Sequence, residues 1–223
     1  MYQKQETLNL IESTGLIVIV RGAEADTLIP LAESLSEGGV RLMEITYDMS
    51  GKTDDSAIAA GIETLSKRFG DRMLIGAGTV MNERQVDLTE AAGGRFILSP
   101  DFDPAVVEST LRRGLVSIPG VFTPTEAAAA HKLGADFVKL FPVNTVGADY
   151  IRMLKAPLSA VKFIAVGNID INTAPEYIAA GAAAVSVGGA VARRDLIDAG
   201  DYAALAKNAA AFTDAIRKAK GLC

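Results

Sequence analysis

Two ionisable residues stand where a soluble protein seldom puts them, each in the middle of an apolar run. The first is Lys139, in Asp136-Phe137-Val138-Lys139-Leu140-Phe141-Pro142. This run reads as a buried β-strand stopped by a proline, and alternation places Phe137, Lys139 and Phe141 on one face. An ammonium between two phenylalanines is costly unless it is neutral, paired or at a wet end of the sheet. Burial lowers the pKa of an amine, and a neutral amine is a nucleophile toward carbonyl groups. An edge-strand lysine with its stem on the sheet and its ammonium in water is the plainer alternative. The second residue is Glu44, in Arg41-Leu42-Met43-Glu44-Ile45-Thr46, where Leu42, Glu44 and Thr46 share a face. If both side chains point into one cavity, they make either a buried ion pair or a nucleophilic amine beside a proton-transferring acid.

The elements that must position them follow a regular alternation. A short helix over 2–13 is broken by Gly15, and 16–20 is a continuous apolar strand of the kind buried on both faces of a parallel sheet. Asp26 is a candidate N-cap for a helix to Leu35, closed by Gly38-Gly39. Further strands are expected at 42–46, 73–79, 95–98, 115–118, 136–142, 161–166 and 184–187. Helices fall between them at 54–69, 82–92, 148–154 and 172–180, two more open at Asp103-Pro104 and at Thr123-Pro124, the second ended by Gly134, and a last one spans 202–218. Asp103-Pro104 and Thr123-Pro124 each put a proline at the first helical position. Eight such units without an evident linker predict an α/β protein, a (β/α)8 TIM barrel with a short N-terminal helix, as one domain over 1–223. A doubly wound open sheet is the alternative and usually has fewer strands.

Composition narrows the function classes. The chain has 223 residues, 49% hydrophobic and 22% charged, with a net charge of -5. No basic run stands out, so no nucleic-acid partner is expected. No apolar run reaches the roughly 18 residues of a membrane span, and no signal-peptide core follows the polar start, so no membrane partner is expected. Cys223 is the one cysteine, which rules out an intrachain disulfide and fits a reducing, cytoplasmic setting. His131 is the one histidine and lies in an alanine-rich helix. One histidine and one terminal cysteine give little basis for a zinc site or a Ser-His-Asp triad. Gly76-Ala77-Gly78 lacks the third glycine of a dinucleotide fingerprint, because Met81 stands there.

A barrel of this type carries its site at the C-terminal ends of the strands. Those ends offer Arg21, Glu44 with Thr46, Thr79, Ser99-Pro100, Pro119-Gly120, Lys139 with Phe141, Gly167-Asn168 and Gly188-Gly189. The glycine-rich ends of strands seven and eight stand where barrels commonly hold a phosphate on backbone N–H groups, although glycines also serve tight turns. A lysine amine, a proton-transferring acid and an anion-binding rim suggest imine chemistry on a small keto acid, with no metal or cofactor required. A phosphosugar isomerase or epimerase, and a non-catalytic metabolite-binding barrel, are the other readings.

Six blocks carry a resemblance: Ile17-Val18-Ile19-Val20-Arg21, Gly39-Val40-Arg41-Leu42-Met43-Glu44-Ile45-Thr46, Ile75-Gly76-Ala77-Gly78-Thr79-Val80, Phe96-Ile97-Leu98-Ser99-Pro100, Ile118-Pro119-Gly120-Val121-Phe122-Thr123-Pro124-Thr125-Glu126, and Val138-Lys139-Leu140-Phe141-Pro142. Over about 15–189 the chain resembles the bacterial 2-keto-3-deoxy-6-phosphogluconate and 4-hydroxy-2-oxoglutarate aldolases, class I pyruvate aldolases. The resemblance implies Lys139 as the imine-forming lysine and Glu44 as the general acid/base. It implies Thr79 near the pyruvyl carboxylate, Arg21 at the mouth, Pro100 and Phe141 around the imine, and a homotrimer. Two departures stand out. Many members carry an arginine shortly after the Glu-x-Thr of strand two, where this chain reads Thr46-Tyr47-Asp48-Met49; carboxylate binding then falls to Thr79, Arg21 and backbone groups. The family's phosphate rim usually reads Gly-Gly and Gly-Ser, where this chain has Gly167-Asn168 and Gly188-Gly189-Ala190, so a hydroxyl donor is lost.

Overall fold

The structure is a computed structural model that describes residues 2–22 and 25–222. The expectations that involved Met1 and Cys223 fall outside the described residues. The chain runs α1 (Tyr2–Thr14), β1 (Leu16–Val20), α2 (Ala25–Glu37), β2 (Leu42–Thr46), α3 (Asp55–Phe69), β3 (Leu74–Gly78), α4 (Glu83–Ala91), β4 (Phe96–Leu98), α5 (Pro104–Arg112), β5 (Val116–Ile118) and β6 (Gly120–Val121). It continues through α6 (Pro124–Lys132), β7 (Val138–Leu140), a 3-10 turn (Val143–Thr145), α7 (Ala148–Lys155), β8 (Phe163–Val166), α8 (Thr173–Ala179), β9 (Ala184–Val187), α9 (Arg194–Asp198) and α10 (Tyr202–Ala219).

The strands form one sheet in the order β5-β4-β3-β2-β1-β9-β8-β7-β6. Its two ends, β5 and β6, are a single barrel strand split at Pro119, which has no N–H to give a ladder. β5 pairs with β4, and β6 pairs with β7. The Pro119 carbonyl accepts from the Lys139 backbone N–H at 2.8 Å, so the ring closes beside Lys139. The nine segments therefore make the expected eight-stranded barrel. The reading of strand five as 115–118 missed its second half, because the proline hid a continuation on the far side.

Local chemistry explains most boundaries. Asn82 accepts from the Gln85 N–H, Asp103 from the Ala105 N–H, and Thr123 with Glu126 forms a reciprocal capping box. Asp26 does not cap α2: the helix starts at Ala25, so Asp26 lies within its first turn, where a carboxylate still meets the positive helix end. The strand expected over 136–142 shortens to β7. Asp136 instead latches the bottom of the barrel, accepting from the Ser117 N–H at 2.9 Å and pairing with Lys4 of α1 at 2.8 Å.

Alternation sorts the core into two layers. Val18, Met43, Ile75, Ile97, Val138, Ala165 and Val185 face the helices. Ile17, Leu42, Leu74, Phe96, Phe137, Ile164 and Ala184 fill the barrel, and Ile11 of α1 joins them as a plug from below. Gly76 shares this inner face, and the Phe96 ring lies so close that an added Cβ would come within 2.3 Å of it. We predict that Gly76→Ala overpacks the barrel and costs about 1–3 kcal/mol, read as a lower urea midpoint at unchanged slope; an unchanged midpoint would show that the interior is not packed this way.

Candidate active site

Inner-face positions turn polar as the strands climb toward their C-terminal ends. On β2 the sequence inward is Leu42, Glu44, Thr46; on the strand carrying β7 it is Phe137, Lys139, Phe141; on β9 it is Ala184, Ser186. Glu44 is 2% exposed and Lys139 7%. Lys139 is thus an inward residue of a closed sheet, not the edge-strand lysine with a solvated ammonium.

Each charge acts on the other. Burial is the main influence on Glu44 and pushes its carboxyl up to about 7, against the attraction of Lys139 and Arg21. Burial likewise pushes the Lys139 amine below its ordinary value; the Glu44 charge opposes this, Arg21 adds to it, and Asp101 opposes it. The Glu44 Oε2 atom is buried with no hydrogen-bond partner. A carboxyl left in that state is not one half of a closed salt bridge; it has capacity for another group's proton. Its seat depends on Gly78, whose missing Cβ would stand 1.5 Å from the Glu44 Oε1.

The remaining expected residues gather at the same end. Arg21 Nη2 donates to Thr79 Oγ1 at 3.1 Å. Thr79, a β-branched residue, holds a left-handed backbone with φ 55°, and Asn168 does so with φ 45°. Such conformations are costly away from glycine and concentrate at functional sites. The Phe141 ring lies 4.9 Å from the Lys139 Nζ and is 40% exposed, so it forms a wall between the amine and the mouth. Pro100 follows β4, and its carbonyl packs on Gly120, where a Cβ would stand 2.3 Å away. The neighbour of Pro100, Asp101, is the third residue, after Glu44 and Arg21, whose charge reaches Lys139.

A cleft of about 570 Å³ opens beside them; Arg21, Phe141, Gly167, Asn168, Gly188 and Gly189 line it, whereas Lys139, Glu44, Thr79 and Pro100 do not. Residues not singled out from sequence also line it: Ser186, Arg194 and Asp198. Strand alternation alone could have flagged Ser186, as a polar residue on the inward face. Arg194 and Asp198 belong to α9, a helix too short to stand out by periodicity. In the segment after β2, where an arginine is absent, Tyr47 turns outward and its hydroxyl meets the Gln85 carbonyl and Thr89. Asp48 accepts from Ser50 and from the Thr53 N–H, which fixes the loop. Among the described residues no group of three or more His, Cys, Asp or Glu is placed to hold a metal ion.

A (β/α)8 barrel with an inward desolvated lysine and a proton-holding carboxyl defines an imine-forming lyase of the class I type. Residues 8–208 match the family model described as KDPG and KHG aldolase. A 2-dehydro-3-deoxy-phosphogluconate aldolase of Treponema pallidum is 34% identical over 76% of this chain and 78% of its own. A 2-dehydro-3-deoxy-6-phosphogalactonate aldolase of Escherichia coli is 34% identical over 92% of this chain and 95% of its own. A solved KDPG aldolase of Legionella pneumophila, with pyruvate captured as a covalent carbinolamine, superposes with a TM-score of 0.83 at 26% identity, over 92% of this chain and 97% of that one. The chain belongs to the KDPG and KHG aldolase family, the class I pyruvate aldolases, and is a carbon–carbon lyase.

Glu44 links the site to stability. A carboxyl raised by folding keeps its proton in the native state while the unfolded chain releases it. Native stability should therefore fall as pH rises from the ordinary 4.5 to about 7. We predict that urea denaturation across this interval shows wild type losing on the order of 3 kcal/mol relative to Glu44→Gln. Parallel curves for the two proteins would contradict the buried, proton-holding carboxyl.

Proposed function

We propose that the protein cleaves a 2-keto-3-deoxy sugar acid, with or without a terminal phosphate, or 4-hydroxy-2-oxoglutarate, into pyruvate and an aldehyde through an imine on Lys139. The observation that carries this is the pairing of an inward, desolvated Lys139 amine with the buried Glu44 carboxyl, whose proton is half released near neutral pH. The neutral amine adds to the C2 ketone. Glu44 gives a proton to the carbinolamine oxygen, which departs as water and leaves a protonated imine. That imine draws in the electron pair of the C3–C4 bond as the bond breaks; the C4 hydroxyl gives its proton to the Glu44 carboxylate, which returns it to C3 of the enamine after the aldehyde leaves. Water then releases pyruvate and restores the amine.

In this reading Arg21 and Thr79 hold the keto-acid carboxylate, and their 3.1 Å contact supports a shared anion seat. Phe141 and Pro100 flank the imine, while Gly167, Asn168, Gly188 and Gly189 receive the aldehyde half along the cleft they line. The reading includes a homotrimer. It is supported by apolar side chains left exposed on and beside α7: Phe122, Val146 and Met153. A cytoplasmic setting completes the reading.

Borohydride with pyruvate is expected to inactivate the enzyme and add a reduced pyruvyl group at Lys139, read by peptide mass. Lys139→Ala should lose both the adduct and turnover, and Glu44→Gln should lose about 100- to 10,000-fold in turnover. Normal cleavage by Lys139→Ala would refute the imine, and insensitivity to borohydride with preserved turnover would favour an isomerase or epimerase.

A further inference from the structure

The inward face of β9 holds a third polar group beside the lysine and the glutamate. Ser186 is 2% exposed, and its hydroxyl is buried with no hydrogen-bond partner among the described residues. A donor left unsatisfied at such depth is costly, and a native structure retains one most readily where a ligand completes it. The strand register shows what this hydroxyl faces. Ser186 pairs with Ile17 of β1 and Glu44 with Ile19; Lys139 pairs with Ile164 of β8 and Ser186 with Val166. Likewise Leu98 pairs with Ile118 and Lys139 with Gly120, on the two halves of the strand split at Pro119. Each step of two strands climbs two residues, which is the stagger of a closed eight-stranded barrel. Glu44, Leu98, Lys139 and Ser186 therefore form one layer of four inward side chains from alternate strands.

That layer limits the donors available to the C2 oxygen of a keto acid. This oxygen is bonded to the carbon that Lys139 attacks and takes the proton of Glu44, so it sits between those two groups. It gains negative charge as the amine adds, and a fixed donor aimed at it then lowers the barrier. Leu98 has no polar side-chain atom, the Lys139 amine is the attacking group, and Glu44 is the source of the proton. Ser186 is the remaining donor of the layer. Two observations support that assignment. Glu44 Oε2 and Ser186 Oγ are both buried without a partner, so one oxygen accepting from both would satisfy the pair. Of the four residues, Ser186 alone lines the cleft of about 570 Å³, so a keto acid entering from the cleft meets its hydroxyl on the way to the amine.

We propose that Ser186 is a further catalytic residue, whose hydroxyl donates a hydrogen bond to the C2 oxygen while the amine adds and while that oxygen departs as water. This rests on the aldolase reading and deepens it. The serine proton stays on its own oxygen throughout. Glu44 supplies the proton that turns the carbinolamine hydroxyl into water, and in hydrolysis the same serine contact orients the water that adds back to C2. The test mixes pyruvate with wild type, Ser186→Ala or Ser186→Cys, quenches with borohydride at intervals, and reads the reduced adduct by intact mass. Thermal melts verify folding; removing an unsatisfied hydroxyl should not lower the melting temperature, and the cysteine variant keeps the shape of the side chain with only a weak donor. Both variants should form the adduct about 10- to 100-fold more slowly than wild type. They should still reach the wild-type end-point, because a group acting in the transition state slows formation and hydrolysis of the imine alike. A wild-type rate in either folded variant overturns the proposal, since the hydroxyl is then idle. So does a slow rate with a lowered end-point, which would make Ser186 a ground-state contact. Failure of wild type to trap pyruvate would sink the aldolase reading itself, and this inference with it.

Discussion

Desolvation of two opposite charges at one end of a barrel is the constraint on which the site depends. In water Glu44 would be ionised and Lys139 protonated at neutral pH, an arrangement with neither a nucleophile nor a proton to give. Inside the barrel burial acts on both in the direction of neutrality, raising the acid to about 7 and lowering the amine. Their mutual attraction opposes burial without overcoming it. In the proposed reaction one physical cause supplies both halves of the chemistry. Carbon–carbon cleavage by this route needs no metal, because the protonated imine itself is the electron sink.

The fold holds the two residues in that state by what surrounds them. Below them the barrel is filled with Leu42, Phe96, Phe137 and Ile164 and plugged by Ile11, an apolar floor beneath both charges. Gly78 leaves the space that the Glu44 carboxyl occupies, and Gly76 does the same for the Phe96 ring. The break at Pro119 closes the ring next to Lys139, where β6 pairs Gly120 with it. A cleft of about 410 Å³ at the opposite end, between α1 and the starts of β3, β4 and β5, includes Arg113, which is tied to Asp87 and Glu90; the lysine–glutamate pair lines neither this cleft nor the one at the mouth. The two ends thus divide their work: ion pairs and the helix plug at one, desolvated charges at the other.

Much of this was legible in the chain because it rests on local rules. Period-two alternation grouped Lys139 with Phe137 and Phe141, and Glu44 with Leu42 and Thr46, leaving open whether those faces point inward, and prolines and glycines punctuated the helices near their observed limits. What was not legible depends on long-range closure. The fifth strand continues beyond Pro119 because β7 is there to pair with it, which no local pattern reveals. Asp136 reads as part of a strand, yet Lys4, far away in sequence, makes it a latch. Asp101 and Arg194 enter the site through loop and short-helix geometry. Ser186 was not singled out from the sequence, although alternation would have put it on the inward face; that its hydroxyl has no partner shows only in the structure.

The central claim is that Glu44 is a buried acid that exchanges its proton near neutrality. The most direct measurement is a carbon-13 NMR titration of the Glu44 carboxyl, assigned by comparison with Glu44→Gln. A midpoint near 7 is the expected result. A midpoint at the ordinary glutamate value near 4.5 would contradict the claim and leave the Lys139 amine without its proton partner.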